Sequence, residues 1–214
     1  MNLRKTDELL EAASLAVNNS RNNPAVQQQL ETFGMTSARL QTGANLLKDL
    51  RQKNLAQTKI QNERWALSQQ INESLLATRD QFKEHARIAQ VAFRQDPQLL
   101  NLLGIGQIAR RRWDCVRQAI FFYERLQEKK LSLELLGVSR KELQETQAIA
   151  TQLLDLKETR VQKKGLAEQG THEKQQAQRA LHEWMIEFRA IARIAFRQQP
   201  QMLEMFGIKV GVAA

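Results

Sequence analysis

The chain has 214 residues and carries 32 lysines and arginines against 23 aspartates and glutamates, a formal net charge of +9. A chain of this length can bury a sizeable core without a metal or a disulfide, and its one cysteine cannot form an internal disulfide. Glycine, proline and aromatic residues are scarce, and strong helix formers dominate. We therefore expect an all-α fold without cofactors.

The same composition limits location and partners. No stretch approaches the roughly 18 to 20 apolar residues of a membrane span, and Asp7, Glu8 and Glu11 lie where a signal peptide would need an apolar segment. We expect a cytoplasmic protein without a membrane span. The positive charge favours anionic partners, although acidic and basic residues alternate along most segments, as they do on solvated helix faces.

In chain order, Thr6 is predicted to cap the first helix with its hydroxyl, and the polar run 18–23 is predicted to end it. Pro24, Pro97 and Pro200 each follow a polar residue. Proline at the first helical position loses only an amide that has no partner in the helix. All three prolines therefore predict helix starts.

Two long helices are predicted at about 36–95 and 139–199, because neither segment contains a proline. Thr36 and Ser139 are their predicted caps, Ser139 forming a capping box with Glu142, and in front of them Gly34 and Gly137 are predicted to be left-handed. If continuous, the first helix would be roughly 90 Å long, so it needs packing partners.

The apolar residues of the two long helices follow different periods. In the first helix they recur every eleven residues, which favours nearly straight packing, whereas the second shows spacings of seven. Gly165 and Gly170 lie inside the second helix, and each costs about 1 kcal/mol there. We expect a kink or a frayed turn at these glycines.

A duplicated segment organises the chain. Residues 88–105, IAQVAFRQDPQLLNLLGI, recur without a gap at 191–208 as IARIAFRQQPQMLEMFGI. The offset of 103 residues also aligns Gly34 with Gly137, and this period is too long for a solenoid. We interpret the chain as two duplicated helical units, 1–105 and 106–214, packed together as one elongated bundle.

Between the two halves, Gly104-Ile105-Gly106 predicts a turn, followed by a helix at about 107–130 with a broad apolar stripe. The string Gly104–Ala109 matches the dinucleotide fingerprint G-x-G-x-x-[GA]. That motif must follow a β-strand, and here a helix precedes it. We therefore interpret it as a turn.

Few residues offer chemistry. None of His85, His172 and His182 has a glutamate three residues before it, as the Glu-x-x-His sites of metal-binding bundles need. We interpret His85 as a half-buried, hydrogen-bonded side chain. Cys115 has no histidine near it in sequence that could act as a base, so it reads as a small buried apolar residue. We expect no catalytic, cofactor or metal residues.

Two clusters are candidates for contacts with partners. Arg110, Arg111 and Arg112, followed by Arg117, could bind an anionic partner such as a nucleic acid, or they could only solubilise the start of an apolar helix. Asp114 lies four residues after Arg110, where the two side chains could pair in a helix.

The second cluster is the repeated motif F-R-Q-x-P-Q-x-L. In one interpretation its phenylalanines fill the core and its prolines start a capping turn. In the other, Arg94 and Pro97, together with Arg197 and Pro200, form a recognition surface that is displayed twice.

Two functions stay open. The first is a non-catalytic helical scaffold or protein-interaction protein, with a protein partner or with self-association through exposed stretches of the long helices. The alternative is a nucleic-acid-binding protein that uses a basic helical face, for which only Trp65, Trp113 and Trp184 offer large rings for base stacking. A third possibility is that the protein binds an apolar ligand in a pocket between its helices.

Overall fold

The computed structural model describes residues 3–209. These residues form six α-helices and two 3₁₀ helices without any strand, so the fold is all-α as predicted. None of the described helices is long and apolar enough to cross a membrane. The elements are α1 (Leu3–Asn22), α2 (Pro24–Thr32), α3 (Ser37–Ala92), α4 (Pro97–Leu102), α5 (Arg112–Glu128), η1 (Glu134–Leu136), α6 (Arg140–Ala195) and η2 (Pro200–Phe206).

The two long helices match the prediction closely. Helices α3 and α6 have 56 residues each, and their first residues, like their last, lie 103 positions apart in the sequence. The glycines before them are left-handed, with φ of 90° at Gly34 and 85° at Gly137. The turns before α3 and α6 are therefore built in the same way, and both helices begin at equivalent positions of the repeat.

Side-chain caps fix the helix starts. The Asn23 carboxamide oxygen accepts hydrogen bonds from the amides of Ala25 (3.1 Å) and Val26 (3.3 Å) at the start of α2. The hydroxyl of Ser139 accepts from the amide of Glu142 at 3.2 Å, which is one half of the predicted capping box. The other half does not form, because the Glu142 carboxylate contacts His85 instead.

The predicted start of α1 at Thr6 is wrong: Thr6 lies inside the helix, 2% exposed, and its hydroxyl donates to the Gln178 side chain. Of the kink or frayed turn expected at Gly165 and Gly170, the frayed turn is absent, since α6 runs through both glycines, and the kink stays a prediction. Two glycines cost about 2 kcal/mol, which is small beside the cooperative hydrogen bonding and packing of so long a helix.

The described chain forms two compact units. Unit 1 comprises residues 1–61 and 166–214, and unit 2 comprises residues 62–165. Each unit takes the first part of one long helix and the last part of the other. Packing thus groups the chain differently from the sequence halves 1–105 and 106–214, whose origin by duplication stays a prediction.

Within unit 1, the start of α3 packs antiparallel to the end of α6. Arg39 pairs with Glu187, and the Gln57 amide donates to the Thr171 hydroxyl at 3.0 Å. Helices α1 and α2 and the 3₁₀ helix η2 cover this pair. The fully buried large side chains of this core are Leu30, Met35, Leu40, Leu50, Leu181, Met185, Phe188 and Phe206.

Within unit 2, the end of α3 packs antiparallel to the start of α6. Lys163 pairs with Glu63, and α4, α5 and η1 complete the unit. Two residues of the eleven-residue period of α3, Ile71 and Phe82, are fully buried here. Phe82 packs edge-on against Phe122 and Tyr123 of α5, with ring centroids 5.6 and 6.4 Å away.

Candidate functional site

The apolar residues of the repeated motif belong to the core. In unit 1, Phe196 is 5% exposed, packs against Phe206 with a centroid distance of 5.8 Å, and shares the core with Leu203. In unit 2, Phe93 and Leu100 pack against the buried cluster from its edge. The packing interpretation of these residues is therefore correct.

The polar residues of the same motif point to solvent. Arg94, Gln95, Pro97 and Gln98 are exposed, and so are their counterparts 103 positions later, namely Arg197, Gln198, Pro200 and Gln201. Within the described chain, none of these arginine and glutamine side chains makes a hydrogen bond or an ion pair. Identical exposed residues thus occur at the same place in both units without a packing role.

One of the two positions at which the copies of the motif differ is the residue before the proline, Asp96 or Gln199. The Asp96 carboxylate accepts from the Leu99 amide at 2.9 Å, and the turn that follows is the α-helix α4. Its counterpart Gln199 makes no side-chain cap, and the turn that follows is the 3₁₀ helix η2. The difference fits the strong preference of helix starts for short polar side chains such as aspartate.

The prediction that the arginine cluster lies on one helix is wrong. Helix α5 begins at Arg112, so the predicted start at 107 is wrong and Arg110 and Arg111 precede the helix. The Gln118 side chain explains the late start. Its oxygen accepts from the Ala109 amide at 2.8 Å, and its nitrogen donates to the carbonyls of Gly104 (2.6 Å) and Gln107 (2.8 Å). These bonds hold the segment in a loop.

The late helix start changes the partners of the arginines. Asp114 pairs with Arg117 and not with Arg110, because Arg110 lies outside the helix and the four-residue spacing does not apply. Arg112 donates to the Asn72 side chain at 3.4 Å. The side chains of Arg110 and Arg111 are exposed and make no hydrogen bond or ion pair within the described chain. Of the four arginines, Arg117 is the one that forms an ion pair within the described residues.

Two observations bear on a nucleic-acid interface. Unit 1 has 14 basic and 10 acidic residues and unit 2 has 18 and 13, so the positive excess is divided almost evenly between them. Of the three tryptophans, Trp184 is 6% exposed and Trp113 lies under the Lys157 ammonium, 5.2 Å from its ring centroid. Only Trp65, 69% exposed, presents a free ring.

Unit 2 contains a buried polar cluster that the sequence did not lead us to predict. His85 is 1% exposed, not half-buried as expected. Its Nδ1 lies 2.9 Å from the Tyr123 hydroxyl and its Nε2 lies 3.2 Å from the Glu142 carboxylate. The Thr146 hydroxyl donates to the carbonyl of Glu142 at 2.9 Å. The cluster therefore ties α3, α5 and α6 together.

The chemistry of this cluster follows from its burial. The Glu142 carboxylate, the His85 imidazole and the Tyr123 hydroxyl follow one another in the order of a proton relay. Burial, however, raises the pKa of the Tyr123 hydroxyl well above its ordinary value of 10.0, and the ring is 1% exposed. A hydroxyl that keeps its proton and does not reach solvent is a hydrogen-bonding group, so the arrangement locks helix positions.

The sequence contained a signal for this cluster. Positions 103 residues from His85, Tyr123, Glu142 and Thr146 hold Phe188, Ser20, Arg39 and Gly43. All four positions differ between the copies, and in unit 1 the space near Gly43 is taken by the Trp184 indole. Four differences at repeat-related positions, three of them buried in unit 2, indicate a local exchange of polar for aromatic packing.

Cys115 behaves as predicted. It is 1% exposed, and burial raises the pKa of its thiol above 9.0, although the charges of Arg79 and Lys83 oppose the shift. The thiolate, which is the reactive form, is therefore disfavoured. Among the described residues, no group of three histidine, cysteine, aspartate or glutamate side chains could hold a metal ion.

A pocket of about 280 Å³ opens in unit 2 beside the polar cluster. Tyr123 and Leu143 line it, with Leu126, Leu131 and Leu133 adding apolar surface and Arg140 a charge. This volume lies just below the usual range of ligand pockets. In unit 2, this pocket is the candidate for the interhelical site for an apolar ligand that was considered from the sequence.

Comparisons of the chain with protein-family models, with curated proteins and with solved structures found no match.

Proposed function

We propose that the protein is a non-catalytic helical scaffold that binds other proteins through two related surfaces. The surfaces are Arg94, Gln95, Pro97 and Gln98 in unit 2 and Arg197, Gln198, Pro200 and Gln201 in unit 1, here called the motif surfaces. The single observation that carries the proposal is that these residues are identical in both copies and exposed in both.

Packing does not account for this identity. Among the apolar members of the motif, the phenylalanine and the last leucine are identical in both copies and pack against the cores, and Leu99 is replaced by Met202. A core can account for the first two identities but not for those of exposed residues. The exposed arginines and glutamines have no partner within the described chain, and surface substitutions at such positions usually change stability by less than about 0.5 kcal/mol. Recognition of a partner provides a reason for keeping the same side chains twice.

The chemistry of the motif surfaces favours protein partners. Next to each arginine lies an exposed aliphatic residue three positions earlier, Val91 at 61% and Ile194 at 52% exposure. A guanidinium with its five donors beside an apolar side chain fits a partner that offers both carboxylates and apolar groups. Each surface is small, and two of them on one chain would raise the overall affinity if one partner engages both.

The test places a photo-cross-linking amino acid at Gln95 or at Gln198 in the full chain expressed in cells. We expect adducts at both positions that disappear with Arg94→Glu and Arg197→Glu, respectively. The matched control is the same amino acid at Gln70, which is exposed on α3 but outside the motif. Adducts that persist with the arginine variants, or that equal those at Gln70, would overturn the proposal.

The alternative is nucleic-acid binding, and one observation favours it: the side chains of Arg110 and Arg111 are exposed side by side and have no partner among residues 3–209. Phosphate contacts by such residues make affinity fall steeply with salt. The test is binding of duplex and single-stranded oligonucleotides at about 50 and 200 mM salt. Affinity that is salt-dependent and is reduced by replacing 110–112 with alanine supports this function, and absence of binding at low salt refutes it.

A further inference from the structure

The last four turns of α6 in unit 1 present an unusual exposed face. Helical spacing of 100° per residue places six of its residues within about 60° of Ala190 on either side, Ala190 included, and Arg197 follows in the turn after the helix. All seven are exposed, with Ile186 at 55% and Ile194 at 52%. The face consists of Glu183, Ile186, Glu187, Ala190, Arg193, Ile194 and Arg197; it is called the palindromic face below.

The order of these residues is symmetric about Ala190. The acids lie three and seven positions before it, and the arginines lie three and seven positions after it. The two isoleucines lie four positions to either side. Two copies of such a face, packed antiparallel around a two-fold axis at Ala190, bring each acid opposite an arginine and each Ile186 opposite an Ile194. The small Ala190 at the crossing lets the helices approach closely.

We propose that a second copy of this chain binds the palindromic face in this antiparallel arrangement. The proposal rests on the proposed function, since it names the partner of the motif surface in unit 1, which shares Arg197. Charge complementarity identifies the occupant: acids precede bases along this helix, and an antiparallel copy of the same helix offers the reverse order at all four charged positions. Glu183, Arg193 and Arg197 form no ion pair within the described chain, whereas Glu187 pairs with Arg39.

The repeat-related segment of unit 2 shows why the second copy does not bind there. Asp80, Glu84 and Arg94 repeat three of the four charges, but Gln90 stands in the place of Arg193. Lys83 and Arg87 occupy the places of Ile186 and Ala190. Two copies of that face would place Arg87 against Arg87, and like charges in contact oppose association. The motif surface of unit 2 is therefore left for a different protein.

The experiment is sedimentation equilibrium of the purified full chain at about 5–300 μM, a range suited to a small interface. We expect a monomer–dimer equilibrium that weakens when salt is raised, because the exposed charge pairs are screened. Glu183→Arg and Arg197→Glu should each weaken the dimer at least about tenfold, the effect of 1.4 kcal/mol. The double variant restores opposite charges and should return to within about threefold of the original, and Ile186→Asp should abolish the dimer.

The matched control is Arg94→Glu, the repeat-related substitution in unit 2, which should leave the dimer unchanged. A chain that stays monomeric over the whole range overturns the proposal. So does a dimer insensitive to both single reversals, a double variant as weak as either single one, or an equal effect of Arg94→Glu. The scaffold function is tested separately by the arginine-dependent cross-links at Gln95. The substitutions at positions 183, 186 and 197 do not change the motif surface of unit 2, so either proposal can fail without the other.

Discussion

A methyl group at Gly43 should destabilise unit 1, although glycine is a poor helix former. Gly43 is a buried residue of α3, and a Cβ atom built there would overlap the six-membered ring of Trp184. The indole has little freedom to withdraw. It is 6% exposed, stacks on Phe188 with ring centroids 5.3 Å apart, and donates from Nε1 to the Arg39 carbonyl at 3.1 Å.

The magnitude follows from three opposing contributions. Gly43→Ala gains about 1 kcal/mol of helix propensity. Overpacking the contact with Trp184 costs about 1–3 kcal/mol, and loss of the indole hydrogen bond costs about another 1 kcal/mol. The free energy of unfolding should therefore fall by about 1–3 kcal/mol, and the melting temperature by about 2–4 °C per kcal/mol for a chain of this size.

The assay is thermal and urea unfolding followed by circular dichroism at 222 nm. Gly165→Ala is the matched control, because no atom lies within 4 Å of its added Cβ, and it should raise stability by about 1 kcal/mol. In a Trp184→Phe background the cost of Gly43→Ala should shrink, since the smaller ring leaves room. If Gly43→Ala stabilised the protein as Gly165→Ala does, the steric reasoning would be refuted.

Two further predictions concern ionisation and capping. Because burial raises the pKa of Tyr123 above 10.0, the folded state keeps that proton to higher pH than the unfolded chain does. The contribution of Tyr123 to the free energy of unfolding is thus complete below about pH 10 and is lost as the pH rises further. The difference in unfolding free energy between the original protein and Tyr123→Phe should narrow above pH 10, and a constant difference would contradict this. Gln199→Asp should introduce the cap that Asp96 provides and raise stability by about 0.5–1 kcal/mol, with Gln199→Asn as an uncharged control; an unchanged urea midpoint for both would show that the cap is not what separates α4 from η2.

Much of the fold was predictable from local signals. Asn23 before Pro24, and the glycines at 34 and 137, act within a few residues, so their effects on the backbone follow from sequence alone. The bounds of α3 and α6 were predicted to within four residues for the same reason. Local patterns failed where a distant side chain decided the outcome, as with Gln118, whose three hydrogen bonds delay the start of α5.

The candidate sites were predictable only in part. Exposure of Arg94 and Arg197 followed from helical spacing, but the buried network of His85, Tyr123 and Glu142 joins residues 38 and 57 positions apart. No periodicity of one helix reveals such a contact, because it depends on how three helices pack. The palindromic face was readable in the sequence, but its meaning required the exposure of Ile186 and Ile194.

Four exposed positions of the motif are identical in the two copies, although buried positions elsewhere differ. Trp184 with Gly43 in unit 1 takes the place of Gln81 with Thr146 in unit 2, and Phe188 takes the place of His85. Trp184 is buried whereas Gln81 is exposed, so the two units pack these repeat positions with different side chains. If folding alone constrained the chain, exposed residues would be the freest to differ. The identity of the motif surfaces in both copies runs against that expectation, and a shared need to bind partners accounts for it better than stability does.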